Sequence, residues 1–373
     1  MGVDQIVARN PRTGRLCLIE DPDEEDIHDP AMCGEYAQEI LDYLVTREKI
    51  FQPKAYYVTQ QGDMSWGMRS VLVDWLFEVH KKFEFLPETM FLAVSLLDRF
   101  MSLRQCDIGK FQLVGLTCLF IAAKIEEVNP PQIGTLVYMA DNGFAEADMI
   151  AAESYILKTL DFDLWAPGPF SFIRRISKAD EYDLHNRNLT KYLVEVALMD
   201  HRFLAYPMSQ IAAGAFFVAR AANVFQTSSK TKTVTMAAGE YAAEALEWGV
   251  YFVQSSGYCR KELVPIVALF NDFFNVKVPQ SVNEWAFFTS KLTHSKRYRD
   301  LDLRINAVVA ALKLEKECDA VVKQHAEMDA EAMQEARLGA QAAEIKATGG
   351  VAPALPNGGR LGVWKPLPVA QIE

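Results

Sequence analysis

The stretch "SWGMRSVLVDWLFEVHKKF", residues 65–83, constrains the fold more than any other. At about 100° per residue, Met68, Val71, Leu72, Trp75, Leu76, Val79 and Phe83 make one broad face of a helix. Val73 and Phe77 carry that face round the side. A helix on the surface of a globular protein needs an apolar stripe of only roughly 100°. This one needs cover on more than one side. Arg69 stands inside the apolar arc, where an unpaired guanidinium is very costly. The carboxylate best placed to pair with it is Asp98, in "SLLDRF". The pair is expected to be structural, joining two core helices.

Helix follows helix over 65–164. "PETMFLAVSLLDRFM" opens with Pro87 in its first turn. "KFQLVGLTCLFIAAKIEE" ends before Asn129-Pro130-Pro131. A short helix at "IGTLVYMA" and a longer one at "EADMIAAESYILKTL" complete the series. "WAPGPF", 165–170, is a linker. A second series follows: "NLTKYLVEVALMD", "MSQIAAGAFFVARAA", "EYAAEALEWGVYFV" and "RKELVPIVALFNDFF". A polar loop, "QTSSKTKTVTMAAG", interrupts it, and a further helix is expected near "VNEWAFFTSKL". β-Branched alternation is scarce, so no sheet is expected and the class is all-α. The two series look like weak repeats: Leu113, Gly115 and Ala123 match Ile211, Ala213 and Ala221 at an offset of 98 residues.

The flanks differ in composition. Residues 1–32 are expected to be a disordered acidic lead-in, since "EDPDEEDIHD" carries seven acidic residues in ten. Within 33–64, "EYAQEILDYLVTREK" places Tyr36, Ile40, Tyr43 and Leu44 on one helical face, which must dock on something. Residues 313–373 read as an Ala/Glu/Lys-rich stretch, helical at most on the surface, followed by a flexible tail.

Thirty-eight basic residues against forty-nine acidic give a net charge of −11, a poor basis for broad nucleic-acid binding. No run reads as long and apolar enough to span a bilayer, and there is no signal-peptide pattern. The six cysteines form no C-x-x-C pair, no histidine spacing makes a zinc site, and Cys118 is expected in the core. No phosphate-binding loop, dinucleotide fingerprint or nucleophile elbow is present. Neither metal nor cofactor is expected, nor catalysis.

Two charges remain. Lys124 closes a run, 111–123, that holds no charged residue, and Glu153 is the only charge between Asp148 and Lys158. A lysine near a helix C-terminus and a glutamate on a solvated face explain them better than a function does.

"MRSVLVDWLFEVHKKFEFLPETMFLAVSLLDRFMS" closely resembles the first cyclin box of mitotic B-type cyclins. "QLVGLTCLFIAAKIEEVNPP", "LKTLDFDL" and "FIRRISKADEYD" resemble the same family in order, over roughly 30–310. "FIRRISKADEYD" and "MDHRFLAYPMSQIAAGAFFVARA" look most like fungal members. The resemblance implies two tandem five-helix cyclin-box domains, 65–164 and 168–312, with an N-terminal helix. The family's five signature positions fall on Arg69, Asp98, Leu113, Lys124 and Glu153. Arg69 and Asp98 would form the internal pair. Lys124 and Glu153 would grip the regulatory helix of a cyclin-dependent kinase, with Ile125, Leu157 and Phe162 adding apolar area. Tyr36, Ile40 and Tyr43 resemble further kinase contacts. The second box has Ala222 where Lys124 would fall, so gripping belongs to the first.

The resemblance also gives the wide arc a use. Met68, Val71, Leu72, Trp75, Glu78, Phe111 and Gln112 resemble the patch that docks Arg-x-Leu motifs of substrates and inhibitors. Ile108, where relatives often carry a basic residue, and Phe111, where they carry leucine, alter its rim. The implied protein is a kinase-activating subunit controlling mitosis in nucleus and cytoplasm, itself no enzyme, with no membrane or direct nucleic-acid partner. The alternative is a two-box transcription factor on DNA or the general transcription machinery, for which "KLTHSKRYRDLDLR" is the nearest basic feature. The family's Arg-x-x-Leu destruction signal is not expected in "RNPRTGRLCLIE".

Overall fold

The computed structural model describes residues 6–9, 16–19, 33–227, 233–236, 246–278, 285, 287, 300–312 and 314–347. They form two helical units, one centred on Pro53–Trp165, the other on Ala166–Asn283.

The first unit holds α2 (Trp66–Lys82), α3 (Pro87–Leu103), α4 (Ile108–Glu126), α5 (Ile133–Met139) and α6 (Glu146–Thr159). Short polar side chains set the helix starts, because the first backbone N–H groups of a helix have no internal partner. Ser65 Oγ accepts from the Met68 N–H at 3.3 Å, and Asp107 Oδ1 from the Gly109 N–H at 3.1 Å. Pro87 opens α3, where its missing N–H costs nothing. α4 lies against α2, α3 and α6, and its residues 113–123 are all buried. By length and composition α4 could cross a bilayer, contrary to the sequence expectation. Its apolar surface instead faces neighbouring helices. Gly115 permits the closest approach, since a Cβ there would lie 2.9 Å from Leu72 Cδ2.

The second unit holds α7 (Pro169–Lys178), α8 (Leu184–Met199), α9 (Met208–Val224), α10 (Val250–Ser256), α11 (Arg260–Asp272) and α12 (Leu301–Leu312). Its central helix is α9, buried from Ile211 through Ala222. A Cβ on Gly214 would lie 2.4 Å from Ile266 Cγ2. The two close-approach glycines therefore stand 214 − 115 = 99 residues apart, one off the 98-residue register read from the sequence. A buried ion network ties this unit together. Arg202 Nη2 lies 2.7 Å from both Asp200 Oδ2 and Asp272 Oδ2, and Lys277 Nζ lies 2.9 Å from Asp200 Oδ1. Burial opposes Asp200's charge, but Lys277 and Arg202 outweigh it and hold the carboxyl well below its usual range.

The N-terminal helix α1 (Ala37–Phe51) belongs to the second unit. It docks through Leu44, Glu48 and Phe51 rather than through the whole face read from the sequence; Tyr36, Ile40 and Tyr43 are exposed. Glu48 carries the docking: its carboxylate accepts from the Ser209 N–H at 2.9 Å and the Ser209 hydroxyl at 2.6 Å. In doing so it caps the first turn of α9.

Three further expectations need correction. Two short antiparallel hairpins occur, where no sheet is expected. β1 (Ile6–Arg9) pairs with β2 (Leu16–Ile19) inside the lead-in. β3 (Phe225–Thr227) pairs with β4 (Val234–Met236) inside the polar loop. Both use strand-forming residues in runs too short to alternate visibly. Arg15 and Leu18 do stand in Arg-x-x-Leu register. The Ala/Glu/Lys-rich stretch is one helix, α13 (Glu315–Ala347), and buries Cys318 and His325. Strong helix formers extend it well past the buried part. The acidic run 20–29, the tail after 349 and most of "VNEWAFFTSKL" lie outside the described residues. Within that last stretch, Phe287 stacks on Phe77 with centroids 6.1 Å apart, and its N–H donates to Asp74 Oδ2 at 3.1 Å.

Candidate functional site

The Arg69–Asp98 pair joins α2 to α3 as expected. Arg69 donates from Nε to Asp98 Oδ1 at 2.8 Å and from Nη2 to Oδ2 at 2.6 Å, and the two side chains are 1% and 2% exposed. Burial alone would weaken the guanidinium's charge; Asp98 more than reverses that and holds Arg69 protonated. The sequence reading missed the third member. Tyr57, in the 3₁₀ turn Tyr57–Gln60, donates its hydroxyl to Asp98 Oδ1 at 2.8 Å and is fully buried. Only tertiary contact brings residue 57 to residue 98. Its phenol is pushed far above its usual range by burial and by Asp98's charge. The group links three segments of the first unit and presents no reactive atom to solvent.

Lys124 and Glu153 come together at the surface of this unit. Lys124 Nζ lies 2.6 Å from Glu153 Oε1, with the side chains 42% and 15% exposed. Lys124 sits in the last turn of α4, where a cation meets the negative end of the helix dipole. Its ammonium also lies 4.2 Å from the centroid of the Phe120 ring, one turn back.

Apolar side chains surround the pair in sequence. Ile125 follows Lys124 and is exposed; on α6, Ile150, Glu153 and Leu157 share one face at i, i+3 and i+7, with Ile150 exposed and Leu157 half-buried. Ile150 was not singled out from the sequence, although that periodicity could have found it. Just beyond α6, Phe162 is 65% exposed. Asp161 and Phe162 have φ of 52° and 58°, left-handed values that a bulky side chain adopts at a cost. The Phe162 N–H is held by Leu157 O at 3.0 Å. The protein thus spends conformational strain to set an aromatic ring in water.

The corresponding end of α9 in the second unit is built differently. Ala222 is fully buried, and its carbonyl accepts from Arg304 Nε of α12 at 2.8 Å. Asn223 Oδ1 accepts from Arg304 Nη2 at 2.5 Å. With α12 on this end of the helix, neither repeat register leaves a free cation there.

The residues of the wide α2 arc divide into rim and floor. Met68 and Val71 are exposed, as are Glu78, Gln112 and Ile108. Trp75 is half-buried, while Leu72 and Phe111 are only 6% exposed. Leu72 lies on the bare backbone of Gly115, and Phe111 stands one turn before it on α4. Together they make an apolar floor with a sparse rim, one acid (Glu78) and one amide (Gln112) beside it. Such a surface can take an extended peptide carrying one apolar anchor and one basic side chain.

Comparison with known proteins agrees with this geometry. The family model for the cyclin N-terminal domain matches residues 39–165, and that for the cyclin C-terminal domain matches 167–299. The chain is 50% identical over 201 residues to the G2/mitotic-specific cyclin cdc13 of Schizosaccharomyces pombe, covering 54% of this chain and 42% of that one. It is 48% identical over 203 residues to the G2/mitotic-specific cyclin-B of Emericella nidulans, covering 54% and 42%. It is 42% identical over 246 residues to the G2/mitotic-specific cyclin-4 of Candida albicans, covering 66% and 46%. The matched region spans less than half the length of each of these relatives.

Proposed function

The chain belongs to the cyclin family through both of its helical units, and from that premise we propose that it is the regulatory subunit of a cyclin-dependent kinase, acting in mitosis. The observation that carries the proposal is the Lys124–Glu153 pair at the surface, among the exposed apolar residues Ile125, Ile150 and Phe162 and the half-buried Leu157. A regulatory surface must bind the active conformation of its kinase better than the inactive one, which calls for a rigid face with directional charge. Lys124 and Glu153 would exchange their mutual contact for polar groups of the kinase, while the apolar residues supply the buried area. Tyr36, exposed just before α1, and Ile40 and Tyr43, exposed on it, are read as additional kinase contacts. The α2 arc is read as the dock for substrates or inhibitors with Arg-x-Leu motifs, with Glu78 pairing the basic residue. The chain supplies binding surfaces and no reacting group. The comparisons give the DNA-binding alternative no support.

The test is purification of a cyclin-dependent kinase with this chain, followed by a histone-kinase assay. Replacing both Lys124 and Glu153 with alanine is expected to leave a folded chain whose kinase affinity drops by roughly 30-fold or more, since losing a desolvated charged contact costs about 2–5 kcal/mol. Full stimulation of the kinase by this variant would overturn the assignment.

A further inference from the structure

Three residues of the proposed kinase face, Lys124, Ile125 and Phe162, lie at or beyond the ends of helices, where backbone frays. Lys124 and Ile125 are in the last turn of α4, and Phe162 lies beyond the end of α6. Both places are tied to α3, the helix behind them, by long side chains. Arg99, near the C-terminal end of α3, donates from Nη2 to Asp163 O at 2.6 Å and from Nη1 to Leu164 O at 3.3 Å. Those are the two carbonyls immediately after Phe162.

At the other end of α3, Leu86 occupies the N-cap position and has no side chain able to cap. Glu127, the residue closing α4, instead takes up the N-cap residue's own N–H from 41 residues away, as the acid of a capping box does. Its Oε1 accepts from the Leu86 N–H at 2.7 Å and from the Thr89 hydroxyl at 2.5 Å. Each tie uses a charged group on a backbone end, which makes it stronger than a neutral hydrogen bond.

We infer that Arg99 and Glu127 are positioning residues for the kinase face: α3 acts as a strut whose two ends fix Phe162 on one side and Lys124 with Ile125 on the other. The inference rests on the kinase reading above. Phe162 needs such a clamp, because its left-handed backbone relaxes unless its surroundings hold it. Glu127 shares its turn with Lys124, so its cap sets where α4 stops. Removing a clamp lowers the fraction of molecules with the face assembled, and apparent kinase affinity falls by that fraction.

The experiment uses the full chain with Arg99→Ala, Arg99→Lys and Glu127→Gln, each also combined with a change in the contact it serves. Two readouts are taken. Hydrogen exchange of the free chain is expected to accelerate over 157–165 in Arg99→Ala, and at the start of α3 and the end of α4 in Glu127→Gln. Affinity for the kinase is expected to drop roughly 5- to 20-fold for each, with Arg99→Lys intermediate. In a Phe162→Ala background Arg99→Ala should cost no further affinity, and Glu127→Gln should cost little in a Lys124→Ala background. A merely structural role would give additive losses, which would overturn the inference. Unchanged exchange at these segments would also overturn it, whatever the kinase does. Faster exchange together with wild-type affinity for Phe162→Ala and Lys124→Ala would instead overturn the kinase reading, and the inference with it.

Discussion

Removing Arg69 is the sharpest test of how the first unit is held. Arg69→Ala leaves the Asp98 carboxylate 2% exposed, with the Tyr57 hydroxyl as its remaining partner among the three. Breaking a buried ion pair by deleting one partner costs roughly 3–5 kcal/mol, because the other charge stays buried. A domain of roughly 100 residues loses about 4–8 °C per kcal/mol, so the melting temperature of the first unit should fall by at least about 12 °C. Tyr57→Phe removes one hydrogen bond to a charged acceptor and should cost less, roughly 1.5–3 kcal/mol. Differential scanning calorimetry, which resolves the two units if they melt separately, measures both. The decisive control is Arg69→Met with Asp98→Leu and Tyr57→Phe, which removes the charges and the buried hydroxyl bonded to Asp98 together. Replacing a buried pair with packed apolar residues is often neutral, so this triple variant should recover most of the loss. If it melts as low as Arg69→Ala, or if Arg69→Ala melts like wild type, the unpaired-charge argument fails.

Other outcomes follow from the same structure. Met68→Ser with Val71→Ser and Gln112→Ala changes only exposed residues; melting should be unchanged while the kinase complex loses its preference for matched substrates carrying an Arg-x-Leu motif. Leu72→Ala, by contrast, empties a buried site against Gly115 and should cost about 2–5 kcal/mol in a melt. Replacing Tyr36, Ile40 and Tyr43 with serine should leave stability intact and weaken kinase binding in calorimetric titration; an unaltered titration would remove α1 from the interface. Asp200 is held below its ordinary range, so its stabilisation is complete above the unfolded pKa of about 3.9 and is lost as pH falls through and below that value. The second unit should therefore melt progressively earlier below about pH 4, and Asp200→Asn, less stable at pH 7, should lose less between pH 4 and pH 2.

Some of this protein was legible in residue order alone. Periodicity placed α2, α3, α4 and α6, because each buries a face whose spacing is set by the helix itself, and Pro87 and the Asn129-Pro130-Pro131 run marked boundaries that any tertiary context must respect. Arg69 announced a partner through desolvation alone, and Asp98 was the one to choose. Lys124 and Glu153 stood out as charges, but residue order alone favoured reading them as solvated ends; their pairing at 2.6 Å depends on α4 and α6 meeting across 29 residues. Distance along the chain likewise hid Tyr57 beside Asp98, Glu48 capping α9 across 161 residues, and Glu127 capping α3. Each is a polar side chain whose role is set by an unsatisfied group elsewhere, so its own neighbours in sequence carry no sign of it. Tertiary packing also decided which members of one apolar arc are floor and which are rim, and it turned Tyr36, Ile40 and Tyr43 outward by giving the inward side of α1 to Leu44, Glu48 and Phe51. A helix's periodicity tells which residues share a side; only the arrangement of its neighbours tells which side meets water.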